Sequence, residues 1–320
     1  MRIKQINKNV GVGAKKGLEF CIYTDTDSLF YSTQPLFELE HGSIQNHSEE
    51  FIVEKSLEIV DTVQKIINDS YTKYAKSFHN VDTHGWNIKQ ELLASRGFWT
   101  GNIRKTKGKS ELIGVKKRYA LKIVNEKGNP KQKLEIKGLD VVRSSFPPTF
   151  KKEMTTILEL ILNDASKSEL NERIRQFKQK LDNTSIIDIG MISGTNDITK
   201  YISTTNTSIG NNYVLKAPAH VKAAINYNTM LDLIKDTDSE RINDGDKIIW
   251  FYLKKNPYNL ESMAIRGYND NTKVIEFINT YIDRDQIFES VFINKLTNFW
   301  HSLGWGDVEL NIMSKTFFSF

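Results

Sequence analysis

Cysteine is almost missing from this 320-residue chain. Cys21 is the only one, which excludes a disulfide framework and any multi-cysteine zinc or iron–sulfur site. A reducing, intracellular compartment is the default for such a composition. No apolar run approaches the roughly 18–20 residues of a membrane span. The first eight residues, Met1 to Lys8, are basic and lack the apolar core of a secretory signal. Nothing in the sequence forms a phosphate-loop fingerprint, a dinucleotide-binding glycine pattern or a Ser–His–Asp arrangement. There is no repeat at 20–50 residues and no low-complexity tract. Proline is scarce, with six in all, and two of them adjoin at Pro147-Pro148.

What is present is an ordinary globular composition, 39% hydrophobic and 26% charged, with a net charge of +5 and a pI near 8.9. That rules out wholesale disorder. The mild positive charge is compatible with a nucleic-acid partner without requiring one.

The pattern divides at the proline pair. Before it, Phe20-Cys21-Ile22-Tyr23 and Leu29-Phe30-Tyr31 read as two strands around the acidic turn Thr24-Asp25-Thr26-Asp27-Ser28. Ser48 with Glu49 and Glu50 starts a long helix. Ile52, Ile59, Val63, Ile66, Ile67, Tyr71 and Tyr74 repeat along it at helical spacing and predict a core-facing stripe. Residues 86–140 read as sheet. Val115 to Val124 is one strand, Asn125 to Pro130 a turn and Lys133 to Lys137 the returning strand, with Arg104 to Lys109 a basic loop.

After the prolines the chain turns mostly helical. One helix carries Met154, Ile157, Leu158 and Ile161, and a second carries Leu170, Ile174, Phe177 and Leu181. A third carries Val221, Ala224, Ile225, Tyr227, Met230 and Leu233, and a last long one runs from Ile282 to Leu303. Lys247 to Leu253 reads as a buried strand and Thr195 to Asn212 as a surface loop. The expected fold class is therefore α+β: a β-sheet fragment with a long packing helix, then a mainly helical domain and a short C-terminal tail.

The chemistry-bearing feature is the acidic turn. Asp25 and Asp27 stand two apart, so on extended chain their carboxylates leave one side. Two like charges so close are costly unless a cation sits beside them. Mg²⁺ takes one or two carboxylates together with waters and substrate phosphates. A rigid hairpin presenting two carboxylates is thus a candidate metal platform for phosphoryl transfer; the alternative is a solvated turn.

The flanks decide between them. Tyr23-Thr24-Asp25-Thr26-Asp27-Ser28 resembles the Tyr-Gly-Asp-Thr-Asp-Ser signature of family B DNA polymerases. Downstream, Lys116-Lys117-Arg118-Tyr119-Ala120 resembles that family's Lys-Lys-Arg-Tyr-Ala segment, and Gly97-Phe98-Trp99-Thr100-Gly101 the stretch leading into it in T4-like phage polymerases. Lys137-Gly138, Arg143 and the proline break resemble the family's passage from palm to thumb. Lys216 to Val221, Gly245-Asp246-Lys247 and the last helix are similar to thumb landmarks. Phe317-Phe318-Ser319-Phe320 is similar to the aromatic tail by which those enzymes hold a sliding clamp.

The resemblance implies the end of a polymerase palm at residues 1–145, a thumb at 146–309 and a clamp-binding tail at 310–320. It implies Asp27 as a direct Mg²⁺ ligand and Asp25 as its supporting carboxylate. It also implies Lys116, Lys117, Arg118, Tyr119, Lys137 and Arg143 as contacts to primer-template DNA, and Phe317, Phe318 and Phe320 as clamp contacts. Thr26 and Ser28 are expected as hydrogen-bonding turn residues, Glu91 as a carboxylate near the site, His220 as structural and Cys21 as core. Deoxynucleoside triphosphates are the implied substrates, with no membrane partner, in the cytoplasm of an infected bacterial host.

The sequence also departs from the family pattern. Thr24 stands where the family has glycine. Asn102 to Val115, with Arg104, Lys105, Lys107 and Lys109, separates two motifs that adjoin in T4-like enzymes; it is either an extra DNA-contacting loop or a solvated hairpin. The second metal-binding Asp, in an Asp-x-x-Ser-Leu-Tyr-Pro motif, and the helix whose Lys and Tyr grip the nucleotide are absent. The expectation is the C-terminal part of a split or shortened polymerase, active only with an N-terminal part. The competing expectation is a non-catalytic DNA- and clamp-binding remnant of such an enzyme.

Overall fold

The computed structural model describes residues 20–106, 109–203, 205–214 and 216–308. Its order is mixed α and β, as the sequence pattern predicts. Strands β1 (Cys21–Asp25) and β2 (Ser28–Tyr31) pair antiparallel, with Asp25 opposite Ser28 and Thr24 opposite Leu29. Helix α1 (Gln34–His41) is short and carries a proline in its first turn, where the missing N–H costs nothing.

Helix α2 (Glu49–His79) starts where the sequence places it. Ser48 caps it by accepting the Phe51 N–H at 3.3 Å, and Glu49 and Glu50 favour its positive N-terminal end. Asn80, left-handed at φ 52°, ends it. The predicted stripe is only partly covered. Ile59 is buried, but Ile66 and Tyr74 stay exposed, with Phe78 and Trp86 beside them. The rings of Tyr74 and Phe78 stack at 4.8 Å.

Three strands form the next sheet, in the order β3 (Leu92–Thr106), β4 (Lys109–Glu126), β5 (Asn129–Lys137). Two corrections to the sequence reading follow. The turn is not Asn125 to Pro130 but the pair Lys127-Gly128, both at positive φ (52° and 82°), as two-residue hairpins require. The basic stretch from Arg104 is largely strand rather than loop, so the 102–115 insert is mainly a hairpin extension; Lys107 lies outside the described residues.

Pro148 sits in the first turn of α3 (Pro148–Leu162), and Pro147 precedes it in extended conformation. The proline pair therefore both breaks the preceding chain and starts the helix. Helix α4 (Lys167–Leu181) carries a reciprocal capping box. Ser166 N–H donates to Glu169 at 2.7 Å, and Glu169 N–H donates to the Ser166 hydroxyl at 3.3 Å. All eight predicted core residues of α3 and α4 are buried.

Short α5 (Ile186–Ile189) leads into β6 (Met191–Gly194) and α6 (Ile198–Tyr201), then α7 (Ala219–Leu233). A second three-stranded sheet joins β6, β7 (Lys247–Tyr252) and β8 (Ser262–Ile265), antiparallel throughout. Helix α7 covers it. The fully buried Asn226 donates to the Ser262 carbonyl at 2.8 Å, and Ser262 donates to the Ala219 carbonyl at 3.0 Å. The stretch from Thr195 to Asn212, expected as a surface loop, instead carries α6 with Ile198 buried, and is tied down at both ends by the buried Thr195 and Asn212.

After α8 (Thr272–Tyr281), the final helix runs as α9 (Arg284–Ile287), a π-helical stretch at Phe288–Ile293, and α10 (Asn294–Ser302). Phe288 and Phe292 meet Phe150 and Phe177 in a ring cluster with centroids 4.9–6.4 Å apart. The buried Glu153 accepts from the partly exposed Arg173 in bidentate fashion, tying α3 to α4.

The described residues fall into two compact units. One holds the chain through Phe98 together with Tyr119–Ile136. The other holds Trp99–Arg118 and the chain from Lys137 onward. Among the described residues no helix is long and apolar enough to cross a membrane.

Candidate functional site

The acidic turn is a two-residue loop, Thr26-Asp27, between β1 and β2. Thr26 adopts φ 46°, unusual for a β-branched residue. The Ser28 hydroxyl donates to the Asp25 carbonyl oxygen at 3.0 Å, and the Thr26 hydroxyl donates to Asp25 Oδ1 at 3.4 Å. Thr26 and Ser28 are thus the hydrogen-bonding turn residues the sequence predicts. The left-handed Thr26 removes the extended geometry behind the same-side argument for Asp25 and Asp27. Asp25 is half-buried and Asp27 exposed.

Behind the turn lies an aromatic platform. Tyr119, from β4, sets its ring 5.4 Å from Phe30 and 6.2 Å from Tyr23, while Tyr23 and Phe30 are 5.7 Å apart. Burial pushes the Tyr119 phenol up first, and the charges of Glu135, Tyr23, Asp25 and Glu91 push it further. Asp25 and Glu91 therefore act on one phenol. Cys21, the first residue of β1, is buried, and its thiol is pushed up chiefly by desolvation.

Among the described residues no three His, Cys, Asp or Glu side chains converge as a metal cage. The donors that Asp25 and Asp27 offer are hard carboxylate oxygens, which suit Mg²⁺. That ion accepts one or two protein carboxylates and fills its octahedron with waters and phosphates. The residues present fit part of a Mg²⁺ site.

In the second unit, Lys116, Lys117, Lys137 and Arg143 are exposed, and Arg118 is half-buried. The run bends at Lys117, which is left-handed at φ 62°. Gly138, also left-handed at φ 65°, lies directly against the Lys117 carbonyl, where a Cβ would collide with backbone. The bend turns Arg118 inward: its guanidinium donates to Asn102 and pairs with Asp140 at 3.7 Å.

His220 packs against Trp250 at 6.4 Å, and its pKa is pulled down by burial, which suits the structural role expected of it. Phe317, Phe318 and Phe320 lie outside the described residues.

Among curated proteins none matches the chain significantly. The model of DNA polymerase family B matches residues 109–298. That span takes in Lys116 to Tyr119, Lys137 and Arg143, and begins after the acidic hairpin. It covers more than half of the 320 residues, and the chain belongs to DNA polymerase family B.

Proposed function

We propose that this chain is the C-terminal part of a replicative, T4-like DNA polymerase: the end of the palm (1–145), the thumb (146–309) and a clamp-binding tail (310–320). In this reading Asp27 would hold Mg²⁺ directly with Asp25 in support, and the bound ion would supply charge neutralisation for the nucleotide's phosphates. Lys116, Lys117, Arg118, Tyr119, Lys137 and Arg143 follow primer-template DNA. Contacts to phosphates position the duplex without reading its sequence. The setting that goes with this function is the cytoplasm of an infected bacterial cell.

One observation carries the reading. Tyr119, which directly follows the basic run Lys116-Lys117-Arg118, packs on the hairpin that presents Asp25 and Asp27. Tyr119 and the basic run are contiguous along β4, inside a chain of this family.

The sequence contains no Asp-x-x-Ser-Leu-Tyr-Pro motif. Two-metal transfer needs carboxylates on both sides of the ions. A polypeptide stretch bearing that motif, continuous with this chain or separate from it, completes the site.

The test is DNA binding against salt. The chain binds duplex primer-template weakly and without sequence preference, and more weakly as salt rises. Each phosphate contact contributes about 0.9 to the log–log slope. Replacing Lys116, Lys117 and Arg118 with Ala flattens the slope by roughly two to three units if all three meet phosphates. An unchanged slope and affinity refutes the DNA-contact role.

For the tail, Phe317, Phe318 and Phe320 act as aromatic anchors in a groove of the clamp, with about micromolar affinity as a free peptide. Attachment through shared DNA raises the effective concentration enough to make that sufficient. Deleting residues 313–320 leaves thermal stability intact and, in the mixture with the N-terminal part, leaves distributive synthesis intact and abolishes the clamp's effect on processivity. Loss of stability with the clamp response retained defeats this assignment.

A further inference from the structure

Three cations from separate elements converge on one carboxylate in the second unit. Asp140, with only 11% of its side chain exposed, lies 3.7 Å from Arg118 of β4, 3.2 Å from Arg143 at the end of the following turn, and 3.5 Å from Lys295 of α10. One negative charge cannot neutralise three positive ones, so the cluster holds a surplus of about two charges at close range. Without Asp140 the three would repel one another apart.

The exposure is unequal. Arg118 is largely covered, at 16%, and its Nε has no hydrogen-bond partner among the described residues. Arg143 and Lys295 are 65% and 41% exposed. Arg118 is thus the inner anchor, while Arg143 and Lys295 face outward.

Lys295 is also held in place by its helix. Asn298 and Ser302, three and seven residues on, share its face of α10. Asn298 Oδ1 accepts the Ile103 N–H at 3.3 Å, and the Ser302 hydroxyl meets Thr100 Oγ1 at 3.0 Å. These bonds fix α10 along β3, so the ammonium sits beside Asp140 as part of the fold.

We propose that Asp140 is a positioning residue that gathers Arg143 and Lys295 into a two-cation clasp for a single DNA backbone phosphate, making Lys295 a duplex contact. This rests on the DNA-binding reading above. The surplus charge, open on its outer side, is what a phosphodiester would balance, and its two exposed donors suit charge-assisted bonds to phosphate oxygens.

The sign of one substitution separates this from a purely structural ion pair. Removing an acid near DNA ordinarily strengthens binding, because it removes repulsion. Under the clasp, Asp140→Asn weakens it. The experiment titrates the full chain with a fluorescein-labelled duplex of mixed sequence, across about 50–200 mM salt. Lys295→Ala, at an exposed position, keeps its unfolding temperature and lowers the slope by about 0.9. Asp140→Asn lowers affinity about five-fold, and in that background Lys295→Ala has less than half its usual effect, the coupling expected of one unit.

Tighter binding by Asp140→Asn, or a wild-type slope for Lys295→Ala while the Lys116/Lys117/Arg118 variant loses slope, overturns the clasp and leaves the DNA reading standing. Absence of duplex binding by the wild-type chain overturns both. If Asp140→Asn does not fold, Lys295→Ala, Arg143→Ala and their double variant decide alone: a double variant whose slope loss stays at about 0.9, one phosphate's worth, supports the clasp, and an additive loss of about 1.8 or no loss refutes it.

Discussion

Replacing Asp27 with Asn is expected to slow nucleotide addition by at least ~100-fold in the polymerase completed by its N-terminal part, about 2.7 kcal/mol of transition-state stabilisation. Asn keeps the size of the side chain and removes the charge. Asp27 is the right target because it is exposed at the tip of the hairpin, whereas Asp25 is half-buried and accepts a hydrogen bond from Thr26. Asp25→Asn should therefore cost less in rate and more in the order of the turn. Single-turnover incorporation of one nucleotide separates chemistry from DNA release and is the appropriate measurement. DNA affinity should not fall in the Asp27 variant, since a carboxylate facing phosphates repels them when no metal is bound. Full activity for Asp27→Asn would remove this residue from the metal site.

The second large effect concerns Gly138. Ala at φ 65° costs roughly 1–2 kcal/mol by its own left-handed geometry. Its Cβ would also collide with the Lys117 carbonyl, a backbone group that cannot rotate aside. Together these should destabilise the protein by about 3 kcal/mol. Gly128 provides the control. It is left-handed at φ 82° with nothing within 4 Å of a Cβ, so Gly128→Ala carries the conformational cost alone. Urea unfolding of the two variants isolates the collision as their difference. Because the displaced backbone carries Lys117 and Arg118, Gly138→Ala should also lose duplex affinity, and Gly128→Ala should not. Equal midpoints for the two variants would mean that β4 gives way freely at Lys117.

Helices α3 and α4 were readable because each buries a stripe of its own, whereas α8 was missed and Leu233, counted with the core of α7, is exposed. The spacing of Met154, Ile157, Leu158 and Ile161, or of Leu170, Ile174, Phe177 and Leu181, directly matches what the structure buries. Periodicity names a face but not its cover, which is why Ile66 and Tyr74 fit the stripe of α2 and yet stay exposed. Strand β8, Ser262–Ile265, is four residues long and wholly buried, too short and too uniform for a period to show. Strand β4 begins at Lys109 because pairing with its neighbours carries it on through residues of poor strand preference.

The candidate site was legible as motifs and not as geometry. Asp25 and Asp27 could be singled out from their flanks, but not the left-handed Thr26 between them. Lys116 to Arg118 read as one basic run, whereas the bend at Lys117 sends Arg118 inward to Asp140. Asp140 and Lys295 were missed altogether. The three-residue step from Asp140 to Arg143 is a weak local signal, and Lys295 meets Asp140 only through the fold.

Primer extension tests the central claim most directly. Template-primer, nucleotides and Mg²⁺ are supplied to this chain alone, to a polymerase N-terminal part carrying the Asp-x-x-Ser-Leu-Tyr-Pro motif alone, and to the two together. The account predicts extension only in the mixture. Synthesis by these 320 residues on their own, or a mixture that binds DNA through both parts and adds no nucleotide, would contradict it.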